Sequence, residues 1–326
     1  MKVLITGAAG FIGSSLAMAL MDRGDEVVGI DNLNNYYDVS LKQARLDRLT
    51  KYKNFTFHQL NIADRDAILL LEDQLGDVTH IMNLAAQAGV RYSLINPFAY
   101  IETNVMGMVV MMELARRLPK LEHYVYASSS SVYGGNTKTP FSIDDPVEKP
   151  VSLYAATKRS DELMAYTYAH LYRLPCTGLR YFTVYGPWGR PDMAAYMFAA
   201  NIVEGKPIPV FNQGNMRRDF TYIDDIVSGT IAAIEHAPPA GSDSAPARVY
   251  NLGNSHSEGL MDYIGEIEKA LGKKAVYDFL PMQPGDVHET FADIEASRRD
   301  LGYDPKTTIR EGIPRFIEWY REYHKV

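Results

Sequence analysis

The 326-residue chain predicts an α/β fold, a doubly wound parallel sheet with a smaller mixed α/β lobe attached. Three observations carry that expectation: short apolar runs alternating with helical stretches, a glycine turn after the first run, and a change to proline-rich, shorter elements after Arg180. The apolar runs at 3–5, 27–30, 55–60, 80–84 and 123–127 read as strands buried on both faces. Between them, 14–21, 68–75 and 105–118 place apolar residues at helical spacing, as crossover helices covering the sheet require. Pro187, Pro191, Pro207, Pro209 and the 237–246 stretch then break the pattern. This predicts a first domain over 1–179 and a smaller lobe over 180–326. Ile223, Ile226, Val227, Ile231 and Ile234 share one stripe, so a segment near 220–236 is expected to return to the first domain as a helix. Residues 237–247 are expected to form a flexible loop.

The first run ends in Thr6-Gly7-Ala8-Ala9-Gly10-Phe11-Ile12-Gly13. Gly7 permits a tight turn, Gly10 lets backbone approach a pyrophosphate, and Gly13 lets the helix pack closely on the sheet. Amides of Phe11, Ile12 and Gly13 at the helix start then face the phosphates. Asp31 closes the second run, where a carboxylate accepts hydrogen bonds from a ribose diol. Together these predict a Rossmann-type dinucleotide site. Its acid would repel a 2'-phosphate and no arginine follows in 32–35, so NAD is expected rather than NADP.

A net charge of −7 and a pI near 5.6 argue against electrostatic nucleic-acid binding. The lone Cys176 excludes an internal disulfide and suits a reducing compartment. No signal-like segment is legible, and no apolar run approaches the roughly 18 residues of a membrane span. A cytoplasmic protein without membrane contact is expected. The eight histidines are scattered without metal-ligand spacing, so no metal site is expected. The pairs Asp144-Asp145 and Asp224-Asp225 read as helix caps or solvated residues.

Tyr154 and Lys158 are four apart on a helical stretch, and Ser128-Ser129-Ser130-Ser131 ends a strand upstream. That spacing puts phenol and ammonium on one face. A cation and a positively charged nicotinamide ring would lower the phenol pKa from about 10 and make it a general base near neutral pH. A serine hydroxyl can bridge phenol and substrate oxygen.

With these residues in place, the chain resembles the extended short-chain dehydrogenase/reductase family, and within it the nucleotide-sugar 4-epimerases. The matching motifs run in order: TGAAGFIG at 6–13, Asp31-Asn32, NLAAQAGVRYS at 83–93, SSSSVYG at 128–134, YAATK at 154–158, RYFTVYGPWGRPDMA at 180–194, RRDFTYIDD at 217–225 and QPGDVHETFAD at 283–293. The resemblance implies a redox cycle through a 4-keto sugar with bound NAD regenerated, catalysed by Tyr154, Lys158 and Ser129. It assigns NAD contacts to Gly7, Gly10, Phe11, Ile12, Gly13, Asp31, Asn32, Asn61, Ile62, Leu84, Ala85, Ala86, Gln87, Asn104, Tyr154, Lys158 and Tyr181. Asn61 stands where the family often has aspartate, and its side-chain oxygen is expected to read the adenine amino group. The resemblance also makes 180–326 the nucleotide-sugar-binding lobe.

The substrate-facing stretches 34–38, 89–93 and 183–194 look like those of UDP-glucuronate 4-epimerases. Sugar 4,6-dehydratases carry an Asp-Glu pair where this chain has Ser130-Ser131, and UDP-glucuronate decarboxylases typically carry glutamate at Ser131. Hexose epimerases usually differ from Thr183 onward and often have arginine at Gln283. The expected substrate contacts are Ser129, Ser130, Ser131 and Thr183 at the sugar, Arg218 and Arg190 at the diphosphate, Arg91 and Ser93 in the GVRYS stretch, Val210 and Phe211 at the uracil, and Asp286 at the ribose or base. The expected reaction is reversible C4 epimerisation of UDP-glucuronate; UDP-glucose epimerisation, decarboxylation and a catalytically inactive NAD-binding scaffold are the alternatives. A homodimer through 104–118 and 154–170 follows the family habit, although Met106, Met108, Met111, Met112 and Met164 also suit a core.

Overall fold

The computed structural model describes residues 1–241, 244–282 and 287–326. The first half runs β1 (Lys2–Thr6), α1 (Phe11–Asp22), β2 (Glu26–Asp31), α2 (Val39–Leu49), β3 (Phe55–Gln59), α3 (Arg65–Leu69), β4 (His80–Asn83), α4 (Pro97–Tyr100), a π-helical stretch Ile101–Met106, α5 (Gly107–Ala115), β5 (His123–Ser129), α6 (Leu153–Tyr172) and β6 (Cys176–Tyr181). The second half continues with β7 (Thr183–Tyr185), α7 (Ala194–Glu204), β8 (Pro207–Phe211), β9 (Arg217–Arg218), β10 (Phe220–Tyr222), α8 (Ile223–Glu235), β11 (Ala247–Leu252), β12 (Glu258–Gly259), α9 (Leu260–Leu271), β13 (Val276–Leu280), β14 (Glu289–Thr290), α10 (Glu295–Leu301) and α11 (Ile309–His324).

Seven strands form one parallel sheet in the order β11-β6-β5-β4-β1-β2-β3. The order reverses between β1 and β4, so the loops after these strands diverge and open a crevice at their carboxyl ends. Residues of β1, β4 and β6 are almost all buried, as expected for strands covered on both faces. One apolar layer joins α1, α8 and α11 to the second lobe; the other joins α3, α5 and α6. Side chains cap the helices that border the crevice: Asp38 accepts from Ser40 N–H at α2, and Ser152 from Ala155 N–H at α6.

Three expectations change. β11 belongs to the main sheet, so that sheet draws on residues beyond both 1–179 and the return helix α8. The 68–75 stretch holds only the end of short α3 and a 3₁₀ turn, Glu72–Gln74; Ile68, Leu71 and Leu75 pack inward while Leu70 is exposed, so no continuous helical stripe forms. The helical run Pro97–Ala115 is long and apolar enough to cross a membrane by length and composition, although half of it is buried; Glu102, Asn104 and Glu113 interrupt the apolar pattern in the sequence. Residues 237–241 and 244–246 join α8 to β11 without helix or strand.

Candidate active site

A cleft of about 450 Å³ opens at the β1/β4 switch, and its walls gather side chains from both lobes. The glycine turn forms its floor. Gly7 has φ +69°, and a Cβ there would lie 3.0 Å from Ala85 N; a Cβ on Gly13 would lie 2.1 Å from Gly7 O. Only glycine fits either position. Helix α1 begins at Phe11 with no side-chain cap and no acid in its first turn. Its first amides therefore remain available, with the positive end of the helix dipole, for an anion.

Asp31 is 8% exposed at the end of β2. Its Oδ2 accepts from Ala9 N–H at 3.1 Å and its Oδ1 from Leu33 N–H at 2.8 Å, which pins it beside the turn. Burial raises its pKa; the Leu33 amide and the Lys42 charge oppose that rise. Lys42 comes from α2 and its Nζ donates to Asn34 O at 2.7 Å and Asn34 Oδ1 at 2.6 Å. The turn, the open helix start and the acid at the strand end fit a dinucleotide on this side of the cleft.

Asn32, Asn61, Ile62, Leu84, Ala85, Ala86, Gln87 and Tyr181 also line the cleft. Asn104 does not; it is buried, accepts from Gln87 N–H at 2.8 Å and donates to Gln87 O at 3.1 Å and Thr157 Oγ1 at 2.9 Å. It therefore positions the Gln87 backbone. The Asn61 side-chain oxygen assigned to adenine already accepts from Ala63 N–H at 3.1 Å.

On the opposite wall, β5 ends in Ser128 and Ser129. Ser128 Oγ turns inward to Glu162 at 2.7 Å. Glu162 holds Arg180 through two bonds of 2.8 and 2.9 Å, and Arg180 donates to the Tyr133 hydroxyl at 3.0 Å. This buried, bidentate network fixes the end of β5 and the following 3₁₀ turn. Ser129 Oγ accepts from Ser131 N–H at 3.2 Å and donates to Ser131 Oγ at 3.1 Å. Ser129, Ser130, Ser131, Tyr154, Lys158 and Thr183 share the cleft. Tyr154 lies in the first turn of α6, its ring edge-on to Tyr100 at 6.1 Å. Lys158 Nζ donates to Ala127 O at 2.9 Å and Asp161 Oδ2 at 3.1 Å, leaving the third of its N–H bonds for the cleft. Burial pushes the Asp161 carboxyl up to about 6, against the pull of Lys158.

Arg190 and Arg218 also line the cleft. Arg190 forms a bidentate pair with Asp192, with Nε to Oδ1 at 3.0 Å, and Tyr36 Oη donates to Asp192 at 3.1 Å. Burial opposes the charge of Arg190, but Asp192 overrides it and raises the pKa. Tyr36, which bonds Asp192, is followed by the rings of Tyr92 at 4.8 Å, Tyr100 at a further 6.3 Å and Tyr154 at 6.1 Å beyond it, so the Arg190–Asp192 pair is linked to the Tyr154 end of the cleft rather than to the diphosphate position expected. Arg218 Nη1 donates to Arg217 O at 2.8 Å and His288 O at 3.1 Å.

The structure does not bring every expected residue to the cleft. Arg91 stacks on Phe211 at 4.1 Å, so each covers the other. Ser93 Oγ donates to Val90 O at 2.6 Å and closes a local turn. Val210 is fully buried in β8 because alternate strand residues face the core. Asp286 and Gln283 lie outside the described residues. Sequence reasoning missed Tyr36, Tyr37 and Lys42. The tyrosines sit in a stretch already singled out, whereas a lysine on α2 carries no signal distinguishing it from a surface charge.

A model of the NAD dependent epimerase/dehydratase family matches residues 3–253. The chain belongs to that family. Its cofactor is NAD. Among relatives of this family, a probable UDP-glucuronate 4-epimerase of Rhizobium meliloti is 45% identical, covering 100% of this chain and 98% of its own length. UDP-glucuronate 4-epimerase 1 of Arabidopsis thaliana is 47% identical over 99% of this chain and 77% of its own. The solved UDP-glucuronic acid 4-epimerase of Bacillus cereus, in complex with UDP-glucuronic acid and NAD, superposes with a TM-score of 0.90 at 35% identity, covering 99% of this chain and 100% of that one.

Proposed function

We propose that this protein is an NAD-dependent isomerase that interconverts UDP-glucuronate and UDP-galacturonate by inverting C4. The observation that carries the reading is the set of side chains sharing the cleft with Tyr154 and Lys158: hydroxyls of Ser130, Ser131 and Thr183, with no carboxylate at Ser130 or Ser131. Eliminating water from a keto sugar calls for an acid and a base beyond the tyrosine. Two serines supply neither at neutral pH.

Tyr154 takes the proton of the sugar 4-hydroxyl, and Ser129 bridges phenol and carbinol oxygen. Bound NAD accepts the hydrogen and electron pair leaving C4 and gives them back. Between these events Tyr154 holds the proton, and the 4-keto sugar turns over before hydrogen returns to its other face. Asp31 and the glycine turn hold the cofactor, and Lys158 uses its remaining N–H at the cleft. The 4-keto uronate is a β-keto acid that loses carbon dioxide when its carboxylate stands perpendicular to the ring carbonyl. Thr183, Ser130 and Ser131 hold that carboxylate in another orientation, with Arg190 supplying charge nearby. Incubation with UDP-glucuronate and chromatography of the products tests the reading: UDP-galacturonate is expected, while a UDP-pentose as main product, or no product, would refute it.

The same reading includes a homodimer. Leu94, Ile95, Phe98 and Ile101 are 48–81% exposed beside α6, whose Leu163, Tyr166 and Leu171 are also exposed. Exposed apolar side chains grouped on neighbouring elements in this way suit a second copy. Met108, Met111 and Met112 lie in the core instead, and of the five methionines considered only Met106 is strongly exposed.

A further inference from the structure

Arg45, on α2, is fully buried, lines no part of the cleft, and has no role in the chemistry described above. Its guanidinium has five N–H donors, and five bonds use them. Nη1 donates to Ala9 O at 3.2 Å and Tyr37 Oη at 2.7 Å; Nε and Nη2 donate to Trp188 O at 3.1 and 2.6 Å; Nη2 also donates to Gly189 O at 3.0 Å. No carboxylate bonds it among the described residues. One end of the fork thus holds the glycine turn, and the other holds the two residues preceding Arg190 in the second lobe. Trp188 has φ +65°, a conformation that a bulky residue adopts only when its surroundings impose it. The carbonyl caught twice by Arg45 belongs to that strained residue. Burying a guanidinium against carbonyls and one hydroxyl, with no carboxylate bonded to it, is costly, and apolar packing would brace two loops at less cost. A planar fork does what apolar packing does not: it fixes the distance and direction between two backbone segments.

We infer that Arg45 is a positioning residue that couples occupation of the cofactor turn to the placement of Arg190 at the sugar. The sugar half of this inference rests on the reading under Proposed function; the cofactor half needs only NAD. Arg45→Lys keeps the charge and removes the fork. Hydrogen–deuterium exchange of the native protein should show backbone protection of both 7–13 and 187–191 when NAD is added. In Arg45→Lys, NAD should still protect 7–13 but no longer 187–191, and the Kd for UDP-glucuronate on the NAD-loaded protein should weaken about tenfold, the size expected for losing a hydrogen bond from a charged donor. Arg48→Met, which removes a ring contact with Trp188 but no hydrogen bond of the fork, should leave the coupled protection in place. If Arg45→Lys lowers the melting temperature yet retains coupled protection and native sugar affinity, Arg45 is a structural brace and the inference fails. Should that variant not fold, Tyr37→Phe, which removes one acceptor of the fork, must weaken the coupling in the same direction, and unchanged coupling there overturns the inference. A native protein that couples the two segments but does not bind UDP-glucuronate would refute the proposed function and leave the role of Arg45 standing.

Discussion

Thr183 sits half-buried at the start of β7, its amide donating to Asp219 O at 3.2 Å and its side chain in the cleft. Asp219 is itself fixed by Asn254, Ser255 and Ala292 amides and the Thr221 hydroxyl, so the backbone under Thr183 has little freedom. A hydroxyl on such a base can hold a carboxylate in one orientation. Losing a hydrogen bond to a charged group costs about 1.5–3 kcal/mol, so Thr183→Ala should shift the partition toward UDP-pentose by about tenfold or more. Unchanged product ratios on chromatography would remove Thr183 from that role. At this scale the sequence was most legible where chemistry needs a particular residue at a particular spacing: the glycines, Asp31, Ser129, Tyr154 and Lys158 line one cleft. It was least legible where a side chain's direction depends on tertiary neighbours. Nothing local shows that Arg91 stacks on Phe211, that Asn104 turns to the Gln87 backbone, or that Lys42 reaches Asn34.

β5 shows how an element serves both packing and site. Its C-terminal end presents Ser129 to the cleft, while its first residue, His123, is fully buried. His123 Nδ1 lies 2.9 Å from Ile234 O, an acceptor, so Nδ1 carries the proton and Nε2 accepts from the Thr177 hydroxyl at 2.8 Å. Burial holds the His123 pKa down to about 4, below the 6.5 of an unfolded chain. The unfolded state thus binds the proton first as pH falls, so this contribution to stability is complete above about 6.5 and is lost toward pH 4. Its full size is on the order of 3 kcal/mol. Melting temperatures followed from pH 7 to 4.5 should fall more steeply in the native protein than in His123→Gln; parallel curves would contradict this. Strands were legible as elements because apolar runs between turns report burial directly. Membership of the sheet was less so: β11 joins β6 after a long crossover, and no local pattern distinguishes it from a strand of the smaller lobe.

At the scale of the whole molecule, the cleft needs both lobes: α6 and β5 bring Tyr154, Lys158 and Ser129, while β7 and the loop before α7 bring Thr183 and Arg190. The exposed apolar face of α4 and α6 lies on the outside of the same helices, so dimer formation would stiffen the element carrying Tyr154. Phe98→Asp, at a position 81% exposed, should convert a dimer to a monomer in sedimentation without loss of fold; a native protein that sediments as a monomer would exclude this arrangement. The alternation of strand and helix made this architecture readable, whereas the docking of the lobes depends on contacts such as Arg45 with Trp188 that no periodicity encodes. The central claim is that hydrogen leaves C4 and returns to C4 within one cleft, with Tyr154 holding the proton. UDP-glucuronate labelled with deuterium at C4 tests it most directly. The account predicts UDP-galacturonate that retains the label at C4, formed about 10²–10⁴-fold more slowly by Tyr154→Phe; label lost to solvent, or a Tyr154→Phe variant as fast as the native protein, would contradict it.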